Sequence, residues 1–171
     1  MARELFLRAR YLASQPNGQA RLEAVQLYRN TVAADPRFAI AWAELARTLS
    51  LALFHDPAMG GQTASEIRSA AARALQLDPN LADAHFALAR LAWCYDGNWA
   101  EAEPAFLRTL ALNPNYASAH QAFALALAAQ GRSSDALAHS RRAIELNPLS
   151  FVASNDYGVV LYCSHQFSQA V

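Results

Sequence analysis

Cysteine is nearly absent from this chain. Cys94 and Cys163 are the two present, far apart and outside any CxxC pattern, which excludes a disulfide framework and a zinc site and leaves them as buried or groove-lining thiols. Net charge is also missing. Fourteen basic and fourteen acidic residues balance to zero, so no whole-molecule field draws in nucleic acid or anionic lipid, and no nucleic-acid partner is expected. Long apolar runs are lacking too. The longest, Ala122 to Ala129, falls far short of the roughly 20 residues that span a bilayer, so no membrane segment is expected. The N-terminal MARELFLRARYLA is charged throughout and is no secretory signal, which makes a cytoplasmic location the expectation. No HExxH, GxSxG, phosphate loop or nucleophile and base pair occurs. The chain is therefore expected to be no enzyme and to hold no cofactor or metal.

What the chain does have is alanine, leucine and a beat of prolines. Its hydrophobic content of 54% is ample for a core across 171 residues. Asp35-Pro36, Asp78-Pro79, Asn113-Pro114 and Asn147-Pro148 each close a run of helical character, and the intervals between the prolines are 43, 35 and 34. A period near 34 with a proline stopping the second of two helices marks a repeat architecture. The units run approximately 2–36, 37–79, 80–114, 115–148 and 149–171, and together they form one array.

Counting back from each proline predicts the helix pairs. Ala117 to Gln130 and Ser133 to Leu146 flank the Gly131-Arg132 turn, with small Ala124 facing small Ala136 so that the two axes approach closely. Phe123 and Leu127 supply bulk. Ala82 to Tyr95 pairs with a helix ending at Leu112, opened by an Asn98 cap with Glu101 as its reciprocal partner. Pro104 inside that helix predicts a kink or a delayed start. Ala39 to Leu53 pairs with a helix ending at Leu77, opened by a Thr63-Ala-Ser-Glu66 capping box, with an inserted loop over Phe54 to Gln62. Ala2 to Ala13 and about Gln19 to Ala34 form the first pair, with Arg8 at the normally small contact position. The fifth unit begins with Phe151 to Ser164 and stops after the first turns of a second helix, Ala170 standing at the small position. An array cut there would expose an apolar flank, which predicts fraying or self-association at that end.

On these residues the chain resembles the tetratricopeptide repeat family over essentially its whole length. The match is carried by Trp42, Leu45, Ala46 and Pro79, by Leu88, Ala89, Ala102, Phe106 and Pro114, and by Phe123, Ala124, Ala136, Ala143 and Pro148. Tyr157, Gly158 and Ala170 extend it into the fifth unit. His85, His120 and Ser154 stand where the family often has Trp, Thr109 replaces a small residue, and Ile67 lies near a small position. The resemblance implies an all-α fold, a right-handed α-α superhelix (solenoid) of helical hairpins with four units plus a truncated fifth. Its concave groove, lined by first helices, would bind a peptide. A narrower likeness rests on Tyr95-Asp-Gly-Asn-Trp99, Leu112-Asn-Pro-Asn-Tyr-Ala117 and Leu146-Asn-Pro-Leu-Ser150. These look like C-terminal repeat regions of bacterial signalling proteins that carry a winged-helix DNA-binding or adenylate cyclase-type domain.

Carried over residue by residue, the family's groove positions fall on Ile40, Ala43, Arg47 and Ser50, then on Asp83, Phe86, Arg90 and Trp93. They continue at Ser118, Gln121 and Leu125, and at Asn155, Val159 and Tyr162. Arg47 and Arg90 hold equivalent places and could clamp a carboxylate, while Phe86 and Trp93 could grip an apolar anchor. Equally open is that Arg47 pairs with Glu44 or Asp83 and Trp93 packs between units. His85 and His120 recur at the repeat period and read as core fillers, and His55-Asp56 reads as loop structure. Cys163 and His165, two apart on a helix, point away from each other, and Arg132, Arg141 and Arg142 read as a solvated face. The lysine and asparagine clamp of chaperone-binding members is not present. The function implied is a protein-protein interaction module, a scaffold or sensory part of a larger bacterial protein, whose peptide or protein partner carries acidic groups. Its alternatives are a nucleic-acid-binding repeat array and a regulatory domain attached to a DNA-binding or cyclase effector.

Overall fold

A computed structural model describes residues 1–15 and 17–164. The expectations for His165, for Ala170 and for a second helix from Gln166 lie outside the described residues, as does Pro16. Within them all regular structure is helical. The chain divides into two compact units, Met1–Ala105 and Phe106–Val171. In the first, α1 (Ala2–Ala13) packs on α2 (Gly18–Ala34), α3 (Ala39–His55) on α4 (Gly60–Leu77), and α3 also on α2 and α5 (Ala82–Cys94). The boundary falls inside α6 (Trp99–Leu112). In the second unit α7 (Ala117–Ala129) packs on α8 (Ser133–Leu146), and both touch α9 (Phe151–Cys163).

The proline beat works through the backbone. Proline has no N–H and clashes with a preceding turn, so each second helix ends just before it. The residue ahead then closes the turn with its side chain. Asp35, Asp78 and Asn113 each accept, through Oδ1, a hydrogen bond from the N–H two residues on, at 3.0, 2.9 and 3.1 Å. A second contact repeats with the same period. Trp42 Nε1, His85 Nε2 and His120 Nε2 each lie 3.0 to 3.1 Å from the carbonyl oxygen of the proline six residues earlier. His85 and His120 therefore stand in for tryptophan as ring N–H donors that tie each first helix to the turn before it. In the last unit Ser154 makes no such bond, its hydroxyl donating to the Ser150 carbonyl at 3.2 Å.

Turns inside the pairs use glycine where the backbone turns left-handed. Gly97 and Gly131 have φ of 64° and 74°, a region a side chain would strain. At Gly131 the neighbouring amides return to the helix end: Gly131 N–H reaches Ala128 O at 3.0 Å and Arg132 N–H reaches Leu127 O at 3.0 Å.

Three local expectations are corrected. The inserted stretch is only briefly a loop: α3 runs on to His55, a 3-10 turn covers Pro57–Met59, and α4 already starts at Gly60. Asp56 begins that turn, its Oδ1 accepting from Ala58 N–H at 3.1 Å. The Thr63–Glu66 capping box does not form, because Thr63 is inside α4 and donates to Met59 O at 3.1 Å. Glu66 is engaged elsewhere, in a two-pronged pair with Arg29 of α2 at 2.7 Å. Finally, of the kink or delayed start expected from Pro104, the delayed start does not occur, since α6 begins at Trp99 with Pro104 inside it, and Asn98 Oδ1 accepts from Glu101 N–H at 3.3 Å as one half of the expected cap.

Candidate functional site

Side chains three or four apart on a helix share a face, so Arg47, Ser50 and Phe54 of α3 lie above one another, as do Asp83, Phe86, Arg90 and Trp93 of α5. Because α3 packs against α5, these two rows meet. At the C-terminal ends of both helices they open into a cavity of about 400 Å³, lined by Ser50, Leu53 and Phe54 and by Arg90, Leu91, Trp93, Cys94 and Tyr95. The walls are aliphatic and aromatic. Arg90 is the charged residue of the lining and is only 7% exposed. Its guanidinium carbon lies 4.5 Å from the centre of the Phe54 ring and 5.7 Å from that of Phe86, within cation–π reach of both.

Arg47 is placed differently. Its Nη2 and Nε donate to Glu44 Oε2 at 2.6 and 2.8 Å, and Nε lies 3.6 Å from Asp83 Oδ1. Of the two readings open in the sequence, the pairing with Glu44 and Asp83 is the one observed. Ser50, Arg90 and Trp93 are thus brought together at one cavity, while Arg47 and Asp83 form a separate ionic cluster. Ser50 is buried and its hydroxyl donates to Arg47 O at 2.8 Å. Phe86 is fully buried beneath Arg90. In the second unit Gln121 Nε2 donates to Asp156 Oδ2 at 2.6 Å, Leu125 is half-buried, and Asn155 and Tyr162 are exposed on α9.

Sequence reasoning missed Leu53, Phe54, Leu91 and Tyr95, while Cys94, read as a buried or groove-lining thiol, does line the cavity. Phe54 carried a usable signal, standing four residues after Ser50 and seven after Arg47, but Pro57 and Gly60-Gly61 argued for a loop. The insertion abuts the cavity, since a methyl group built on Gly61 would sit 3.5 Å from the Tyr95 hydroxyl. His55 is held below the ordinary histidine range by burial and then by Arg21 and Arg90. Desolvation pushes the Cys94 thiol up against the pull of Arg90, so it is no activated nucleophile.

The other concentration of titratable groups is in the second unit. His120 Nδ1 lies 2.8 Å from His139 Nδ1. With its Nε2–H directed at the Pro114 carbonyl, neutral His120 presents a lone pair at Nδ1, which accepts from His139 Nδ1–H. Among the described residues no group of three or more His, Cys, Asp or Glu side chains could hold a metal. Burial, with Arg142 beyond it, lowers the His120 pKa, although the Pro114 carbonyl acts the other way. Burial, His120 and Arg132 lower that of His139 against the opposing pull of Asp135. Both histidines are therefore neutral in the folded chain at a pH where the unfolded chain already binds protons. Their contribution is complete above the ordinary value of about 6.5 and is lost as pH falls through the lowered folded values. The melting temperature is expected to fall on acidification below about pH 6.5, and His139→Phe to flatten that slope. An unchanged slope in the variant would place the pH dependence elsewhere.

No protein-family profile matches the sequence, and no curated protein does. Among the described residues no helix is long and apolar enough to cross a membrane. Solved structures do match. PilW, a widely conserved type IV pilus biogenesis factor, aligns over 99% of this chain and 72% of its own at 18% identity and a TM-score of 0.73. TTC0263, a thermophilic TPR protein of Thermus thermophilus, aligns over 85% of this chain and 78% of its own at 22% identity and a TM-score of 0.67. YrrB, described as a TPR protein with an unusual peptide-binding site, aligns over 98% and 79% at 19% identity and a TM-score of 0.58. With the proline-closed helix pairs and the repeated ring N–H contacts of Trp42, His85 and His120, these likenesses establish that the chain has the tetratricopeptide-repeat fold.

Proposed function

We propose that the chain is a non-catalytic binding module that takes a segment of a partner protein on the face of α3 and α5, and that the segment carries acidic groups. The observation that carries this reading is the apolar cavity with Arg90 in its wall. Ligand sites are concave and mainly apolar, with a few polar groups that fix orientation. A guanidinium set in an apolar wall binds a carboxylate through charge-assisted hydrogen bonds, so an anionic partner suits this wall better than a neutral one. The peptide-binding site ascribed to YrrB, a structure of the same fold, supports the same reading. In the second unit Gln121, Leu125, Asn155 and Tyr162 form a further contact set to be tested by itself. In a larger bacterial protein such a module would act as a scaffold or sensory part.

The test is a random peptide library displayed on phage and selected on the immobilised chain. Selected peptides are expected to bind the parent saturably and to lose at least about tenfold in affinity on Trp93→Ala, in line with removal of an aromatic anchor. Failure to select any saturable binder would sink the reading, and so would selected peptides indifferent to both Trp93→Ala and Arg90→Gln. Retention of RNA or DNA with a steep salt dependence would favour a nucleic-acid array instead.

A further inference from the structure

We propose that the His120–His139 pair is an acid-operated latch between α7 and α8, which holds while it carries at most one added proton and releases α8 when it takes a second. The device is particular to this repeat. In the three repeats before it the place of His139, nine residues ahead of the closing proline, is filled by Leu27, Ala70 and Ala105. A second imidazole there is not something the repeat pattern requires.

Two observations carry it. The first is that the contact joins two elements. His120 stands on α7 and His139 on α8, with their Nδ1 atoms 2.8 Å apart and the His139 ring centroid 4.8 Å from that of Phe123. The second is that the surroundings set both tautomers. His120 Nε2–H is committed to the Pro114 carbonyl at 3.0 Å, so His120 Nδ1 carries a lone pair and the bridging proton belongs to His139. Each added proton then has one place to go. The first binds His139 Nε2, which has no hydrogen-bond partner among the described residues and sits on a half-buried ring. The Nδ1–H that His139 donates becomes charge-assisted, and the bridge holds. The second proton finds only His120 Nδ1, the acceptor of that bridge. Its arrival sets two N–H groups head to head between two cations at hydrogen-bond distance, and the bridge breaks.

The charges around the pair favour this order. α7 carries no other ionisable side chain. Both carboxylates of α8 are engaged, Asp135 with Arg132 at 2.8 Å and Glu145 with Arg142 at 2.9 Å. Arg142 opposes a proton on His120 and Arg132 one on His139, while Asp135 pulls the other way on His139 and so favours that ring for the first proton. From α9, Asp156 accepts from Gln121 at 2.6 Å and the Tyr157 hydroxyl from Arg141 at 3.4 Å. From α6, the Phe106 ring stacks behind Phe123. Burial holds both latched rings below the ordinary histidine value of about 6.5, so the open pair, whose rings titrate near that value, takes protons first and gains as pH falls.

The test follows a chain labelled at histidine nitrogen by NMR, and its backbone amides by hydrogen exchange corrected for the intrinsic rate, across a pH series. At about pH 8, above the ordinary histidine range, His120 is expected as the Nε2–H tautomer and His139 as the Nδ1–H tautomer. On acidification His139 Nε2 is expected to take a proton first and His120 Nδ1 at lower pH. Once the pair holds its first proton, protection of the α8 amides should fall about tenfold per pH unit, because the open pair binds one proton more than the latched one. The amides of α2 and α4 should keep theirs. His139→Leu, which restores the apolar residue of the first repeat, is expected to remove that slope. So is His120→Trp, which keeps a ring N–H for Pro114 as Trp42 does for Pro36. Matching tautomers in the parent, a His120 that titrates before His139, or a parent-like slope in either folded variant overturns the latch. Loss of protection in α2 and α4 at the same pH as in α8 overturns it too, since the acid response would then be global unfolding.

Discussion

Phe123→Ala is expected to destabilise the second unit by about 3–5 kcal/mol, the range for deleting a buried aromatic ring. Phe123 is almost wholly buried on α7. Its ring stacks on Phe106 with centroids 5.1 Å apart and planes 21° from parallel, and the His139 ring lies 4.8 Å away on the other helix of the pair. Truncation removes both ring contacts and opens a hole. Its neighbours cannot close it cheaply: Ala124 and Ala136, each buried, already bring α7 and α8 together through small side chains. Against a total stability of about 5–15 kcal/mol this is a large share. Urea unfolding monitored by helical circular dichroism should show a lower midpoint with the slope retained. A change below about 1 kcal/mol would mean the ring is not packed as described.

Ile67→Ala is expected to cost the first unit about 2–5 kcal/mol. On α4 the residues Ala64, Ile67, Ala71 and Ala74 follow helical spacing and are buried to within 1%, so one bulky side chain stands in a stripe of alanines. Ile67 belongs to the same buried cluster as Leu45, Leu49 and Leu53 of α3. The seam between α3 and α4 thus depends on Ile67 for volume that alanine cannot supply. Ser65→Ala and Ser69→Ala, at exposed positions of the same helix, should stay within about 0.5 kcal/mol and serve as controls. An Ile67→Ala midpoint equal to theirs would contradict the placement of the seam.

Ile67 also shows how far the sequence could be read. By the repeat phase it looks like a departure from a small contact position, yet it is the residue that fills the seam. The same region holds the misplaced helix start. Pro57, Gly60-Gly61 and the Thr63-to-Glu66 spacing are strong local signals for loop and cap, and elsewhere signals of that kind place helix ends within a residue or two. Here they lose to tertiary partners. Glu66 is drawn to Arg29, which stands 37 residues earlier on α2, and Thr63 turns back onto its own helix. With the cap undone α4 begins at Gly60, and α3 runs on far enough to place Phe54 in the cavity wall.

The candidate site divides along the same line. That Ser50, Arg90 and Trp93 line one cavity follows from the repeat phase of their positions, a property of spacing alone. Tyr95 was not legible, since it stands at the end of its helix and enters the site through the approach of Gly61. For Arg47 the sequence held two outcomes of similar merit. Two carboxylates within reach of one guanidinium decided between them. The histidines moved in the opposite direction. His85 and His120 kept the role their phase suggests, as substitutes for tryptophan, but the reason is an N–H directed at a proline carbonyl more than the filling of a core.

By itself the sequence determined the helix pairs, their period and the chemistry of the proline-closed turns, because those depend on contacts within about six residues. A proline without an N–H, an Asp or Asn that closes the turn, and a ring N–H six residues later act wherever the chain repeats them. Only the tertiary structure decided which charges join an ionic cluster and which stand in a cavity wall. That choice rests on which side chains distant helices bring within reach of each other. It gave Arg47 to Glu44 and Asp83, and it set Arg90 against Phe54 at the edge of a cavity.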